Sequence, residues 1–192
     1  MARDDRRLDV YLQEHSQLKQ EQSQRIGFRD NLLYATLGAY AAILGFALGK
    51  DSANPYALLI LPWVSLILGW TYLVNDHKIS EIGRYIRYQL TGKMADALAD
   101  GPTPAPPILE WETAHRSDRR RERRKLEQLL IDQVAFVGSG LVALGSFLVW
   151  DVSQPLHGSL ASAVQLLVGV EAVLLLGLGV EIFLYADLTK GR

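Results

Sequence analysis

The chain has no cysteine. That excludes disulfides, thiolate nucleophiles and thiolate-ligated zinc or iron–sulfur centres together. Histidine is scarce: His15, His77, His115 and His157 are scattered, with no metal-ligand spacing among them. No P-loop, dinucleotide fingerprint or nucleophile elbow occurs, so no catalytic residue, metal ligand or cofactor is expected. Met1 to Arg29 is charged and polar, and no cleavable signal peptide is expected there. Net charge is −1 over 192 residues, so charge as a whole selects no partner.

Charge is also missing from long stretches, and those stretches fix the class of protein. Leu32 to Gly49 (LLYATLGAYAAILGFALG) carries none, and Tyr56 to Val74 follows after the short polar turn KDSANP. A third run extends from Leu129 to Trp150 and a fourth from Ala163 to Ala186. Each is near the ~20 residues that cross a ~30 Å hydrocarbon core at ~1.5 Å per residue. The expected fold is all-α: a polytopic membrane protein with four transmembrane helices in two hairpins and cytoplasmic helical extensions. Pro62 inside the second run predicts a kink. Trp70 and Tyr72 near its end suit an interfacial aromatic belt.

Five segments follow from this division: 1–31, an N-terminal cytoplasmic helix; 32–74, the first hairpin; 75–128, a polar middle; 129–188, the second hairpin; and 189–192, a tail. In the first segment Leu8, Leu12, His15, Leu18 and Ile26 form a thin apolar stripe interrupted by Gln22. In the middle, Ile79, Ile82, Ile86, Leu90, Met94 and Ala97 recur at three- and four-residue steps, the pattern of an amphipathic helix. Asp100 to Pro107 (DGPTPAPP) is a Pro-rich linker, and Trp111 beyond it reads as an anchor onto protein or bilayer. Asp76 and His77 beside Glu81 read as a helix-capping group.

Basic residues are sharply segregated. Residues 1–31 hold six Lys/Arg, the first turn one, the polar middle eleven, the second turn none and the tail two. The positive-inside bias places both termini and the middle in the cytoplasm, with the two short turns outside. Arg116, Arg119, Arg120, Arg121, Arg123, Arg124 and Lys125 form a juxtamembrane cluster suited to anionic lipid headgroups at ~1 kcal/mol each. Their position beside a span favours lipid over nucleic acid.

Within the runs, small residues and carboxylates are the informative side chains. Ala41, Gly45 and Gly49 recur every four residues, and Gly138, Gly140 and Gly145 punctuate the third run. Small residues at such spacing let helix backbones approach closely in lipid, here chiefly against helices of the same chain. Glu171 and Glu181 lie in the fourth run, which holds no Lys or Arg to pair with them. A charged group at mid-bilayer costs at least ~2.5 kcal/mol, so Glu171 is expected to be protonated or hydrogen-bonded, with Thr36, Tyr40, Ser65 and Ser139 as candidate partners. It reads equally as a proton or cation site and as a neutral acid joining helices by one hydrogen bond.

The runs Leu32–Gly49 and Tyr56–Val74, followed directly by NDHKISEIGRYIRYQL, resemble SLATT-like small multi-pass membrane components of prokaryotic defence systems, over the first half of the chain. The resemblance implies a non-enzymatic homo-oligomer that perturbs the membrane when signalled by a cytoplasmic protein partner. Two other readings stand beside it: a small proton-coupled transporter using Glu171, and a passive anchor that recruits a soluble partner through Trp111 and the basic helix.

Overall fold

A computed structural model describes residues 2–49, 54–99, 107–114, 120–153 and 159–186. Among these residues all regular structure is helical. Helix α1 (Ala2–Ala47) is built first from Glu, Gln, Arg and Leu and then from Ala and Leu, all good helix formers. It meets no proline before Pro55 and ends in a bend at Leu48, next to Gly49. A 3₁₀ turn (Pro55–Leu59) with Pro at its start leads into α2 (Ile60–Tyr85). A π-helical turn (Ile86–Leu90) and α3 (Thr91–Leu98) complete this long helical segment. After the one-turn α4 (Trp111–Ala114) come α5 (Arg121–Asp132), a second π-helical turn (Gln133–Gly138), α6 (Ser139–Ser153) and α7 (Ser159–Tyr185).

Three helical segments are long and apolar enough to cross a membrane: Pro55–Leu98, Glu122–Ser153 and Ala161–Tyr185. The chain is therefore a membrane-embedded helical protein. The first apolar run is helical only from Leu32 to Ala47, about 24 Å at ~1.5 Å per residue. Pro62 lies in the first turn of α2, where its missing N–H costs no α-helical hydrogen bond, so the expected mid-span kink does not arise.

The chain divides into two compact units, Met1–Arg29 with Val74–Arg121, and Asp30–Leu73 with Glu122–Arg192. The first unit has a small apolar core. Its core is the face Ile82, Ile86, Leu90 and Met94, against which Tyr11, Leu18, Tyr85, Ile108 and Leu109 pack. Steps of four in a straight α-helix drift by about 40° each, which would carry Met94 about 120° away from Ile82. The π turn inserted among them absorbs that excess and keeps all four on one side. The Ile86 carbonyl accepts both the Thr91 backbone N–H and, at 2.8 Å, Thr91 Oγ1.

On the α1 side the contact face differs from the apolar stripe. Leu12 and Ile26 are exposed, whereas Gln22 sits in the seam and donates to the Ile79 carbonyl at 3.2 Å. Tyr85 donates to Glu14 at 2.6 Å, and Arg29 pairs with Asp76 at 2.8 Å. Polar side chains that reach across the seam set its register, and an apolar periodicity cannot see them. Asp76 and His77 are interior to α2 and cap nothing; His77 and Lys78 instead approach Glu81 at 2.9 and 2.6 Å.

The second unit is apolar. One cluster gathers Ala47, Leu58, Leu61, Leu144, Phe147 and Leu175, and another Leu32, Tyr72, Leu129, Phe136, Leu178 and Ile182. Tyr72 belongs to this core rather than to an interfacial belt: it is buried, its ring lies 5.0 Å from Phe136, and its hydroxyl accepts from Gln128 at 3.4 Å. Trp70 is half exposed. Tyr56, Phe147 and Trp150 form a second aromatic group with centroids 5.4–5.9 Å apart.

Candidate functional site

Inside the apolar unit the backbone brings three helices together at glycines. A Cβ on Gly69 of α2 would lie 2.9 Å from Leu178 Cδ2 and 3.0 Å from Phe136, closer than real Cβ atoms approach. One on Gly140 of α6 would meet Leu175 at 2.9 Å and Ser65 Oγ at 3.4 Å. On α7, Gly179 faces Gln133, whose amide donates to the Gly179 carbonyl at 2.7 Å. Gln133 opens the π turn, so the residue that disturbs the helix also bonds the neighbouring helix.

Glu171 stands one turn before Leu175 on α7 and is completely buried (0%). Neither carboxyl oxygen has a hydrogen-bond partner. The Trp63 indole interacts with the carboxyl but falls outside hydrogen-bonding geometry. None of the four expected partners bonds to it. Thr36 donates to the Leu32 carbonyl at 2.8 Å, and Ser139 lies 2.6 Å from the Ala135 carbonyl. Tyr40 hydrogen-bonds Ser65, and its hydroxyl is 3.0 Å from Ser139 Oγ. Tyr40, Ser65 and Ser139 thus bond one another, while Thr36 bonds the α1 backbone and Ser139 the π turn, which leaves the carboxyl outside their network. The Trp63 indole of α2 is the polar group that approaches the carboxyl. Leaving a buried polar group unpaired costs about 1–3 kcal/mol.

Glu181, three turns on from Glu171, is partly exposed and lines an open groove with Leu66, Trp70 and Val173. Of the small residues singled out for packing, Gly140 lies against another helix. Gly45 and Gly145 have no atom of another element within 4 Å, and Ala41 is exposed. Gly49 approaches only the end of its own helix, and Gly138 only the Gln133 carbonyl within its π turn. A spacing of four says that small residues share a face but not which way the face points. Gly69 and Gly179 make close contacts that no spacing of small residues distinguishes; the lone Gln133 in an apolar run is a signal for the second of them.

In the basic cluster, Arg116 and Arg119 lie outside the described residues. Arg120 is exposed, and Arg123 pairs with Glu127 at 2.8 Å on an exposed face of α5. In the polar unit, buried Glu112 of α4 binds Lys19 at 2.7 Å, and its carbonyl accepts from Arg87 at 2.9 Å. Leu109, with φ of 50°, holds the backbone turn before α4 in the left-handed region, uncommon for a leucine. Trp111 beside it is 74% exposed.

No protein-family model, curated protein or solved structure matches the chain.

Proposed function

We propose that the chain is an oligomeric, four-pass effector of the bacterial inner membrane, which perturbs the bilayer when a cytoplasmic partner engages its polar unit. The observation that carries this reading is the sharing of α1 and α2. Each helix contributes one end to the polar unit and the other to the apolar unit, with no break between them. A change in the polar seam therefore acts on helices that also build the membrane part. The seam is held by ion pairs and hydrogen bonds such as Lys19–Glu112 and Arg29–Asp76, which a protein partner can exchange for its own.

Segregation of Lys and Arg supports a cytoplasmic polar unit, and the apolar part of α1 supplies the fourth pass. Exposed Tyr34, Leu37 and Leu48 along that part suit lipid or a second copy. Resemblance of the first half to SLATT-like proteins points the same way.

Controlled overexpression tests the reading. The expected result is a fall in membrane potential, followed with a potential-sensitive dye. Resistance to cationic drugs without depolarisation would replace it with a transporter, and neither effect would leave a passive anchor.

A further inference from the structure

We propose that Glu171 is a reversible proton-binding site in the interior of the apolar unit, which makes the proton the ion whose movement this protein controls. Its meaning for the cell rests on the effector reading above, but proton binding itself does not.

No Asp, Glu, Lys, Arg or His occurs in Leu32–Gly49, Tyr56–Val74 or Gln133–Trp150, and the acids Asp132 and Asp151 bound the last of these. The titratable side chains those segments offer are Tyr34, Tyr40, Tyr56 and Tyr72, and Glu181 is the second carboxyl on α7. The buried carboxyl has no cation to pair with in these segments, and the Trp63 indole is the polar group beside it. A leucine of similar size would fill the same space without burying a polar group.

The donor set then selects the ligand. Calcium takes six to eight oxygens, magnesium demands near-octahedral coordination, and potassium filters use rings of carbonyls. Glu171 offers two oxygens beside an indole, and no group of three or more His, Cys, Asp or Glu converges among the described residues. One carboxylate is enough for a proton: a hydronium gives up H⁺, an O–H bond forms on the carboxylate, and water is released; the reverse step restores the charge.

A route of matching chemistry lies nearby. Ser65, Tyr40 and Ser139 form a chain of hydroxyls in the same unit. At Gly140 that chain meets α7, since Ser65 and Leu175 both press on the position of its absent side chain and Leu175 is one turn from Glu171. The carboxyl is sealed in this arrangement, so exchange with water requires the helices to part, which is what a gated site needs.

Infrared difference spectroscopy on the full-length protein in phosphatidylethanolamine–phosphatidylglycerol vesicles reads the site directly. Above about pH 5.5 exposed carboxyls are ionised, and a protonated-carboxyl C=O band should remain, fade as the bulk pH rises, be absent from Glu171→Gln and persist in Glu171→Asp and Glu181→Gln. A band of constant amplitude up to about pH 10 would identify an inert neutral acid and overturn the proposal. A titrating band that survives in Glu171→Gln would overturn it equally. Neither outcome touches the depolarisation assay, so the two readings fail separately.

Discussion

At the residue scale, close packing in the apolar unit depends on hydrogen atoms where other residues carry carbon. Gly69→Ala and Gly140→Ala force a methyl to within about 3 Å of Leu178, Phe136 or Leu175. Each should cost about 1–3 kcal/mol, read as a lowered midpoint of thermal unfolding in detergent. Gly45→Ala and Gly145→Ala, which point into open space, should stay within about 0.5 kcal/mol of the parent. If Gly45 contacts a second copy, Gly45→Leu should dissociate the oligomer on size exclusion while leaving that midpoint unchanged. Pro62→Ala should shift stability by less than about 1 kcal/mol, because a first-turn proline breaks no helical bond. The residue that mattered most was visible from the start, since a carboxylate in an apolar run is conspicuous. Its surroundings were not, because which hydroxyl bonds which carbonyl depends on rotamers that no periodicity records.

At the scale of elements, the long amphipathic helix of the polar unit was legible because Ile82, Ile86, Leu90 and Met94 repeat at a fixed step. Its partner face on α1 was not, because Gln22, Arg29 and Glu14 make contacts that look like solvent-facing positions in a hydropathy plot. The same logic predicts an asymmetry at the α4 clasp. Lys19 is 38% exposed and Glu112 8%, so removing the lysine strands a buried carboxylate, whereas removing the carboxylate leaves a cation that reaches water. After discounting for that exposure, Lys19→Met should cost about 1–2 kcal/mol, and Glu112→Gln less. Hydrogen exchange at Ile108–Ala114 is the sensitive measure: the lysine variant should lose protection there first, and equal behaviour of the two would refute the asymmetry.

For the whole molecule, helical class and membrane embedding followed from the apolar runs because desolvation cost is a property of composition, not of packing. The two compact units part close to the ends of the first two runs, at 29/30 and 73/74, but at 121/122 the charged start of α5 falls in the same unit as the apolar runs. The segregation of Lys and Arg predicts sidedness, and the cysteine-free sequence makes it directly measurable. Single cysteines replacing Ser52, Ser117 and Ser153 should divide cleanly in intact cells. Positions 52 and 153 should react with an impermeant maleimide, and position 117 only after permeabilisation. Reaction at 117 from outside with silence at 52 would invert the topology, and with it the idea that a cytoplasmic partner reaches the polar unit.

The π turn at Ile86–Leu90 has a consequence for tolerance to changes in chain length. Twelve residues separate Ile82 from Met94, one more than three ordinary turns need at ~3.6 residues each. The polar unit thus carries a spare residue. Deleting exposed Gln89 should let the segment relax to plain α-helix with the buried side chains still aligned, and protease resistance of the unit should survive. Inserting an alanine at the same place adds a second surplus that no single wide turn can absorb. Met94 then swings out of the core by about 100°, and the unit should become protease-sensitive. Lineages of this protein should therefore shorten at this point more readily than they lengthen.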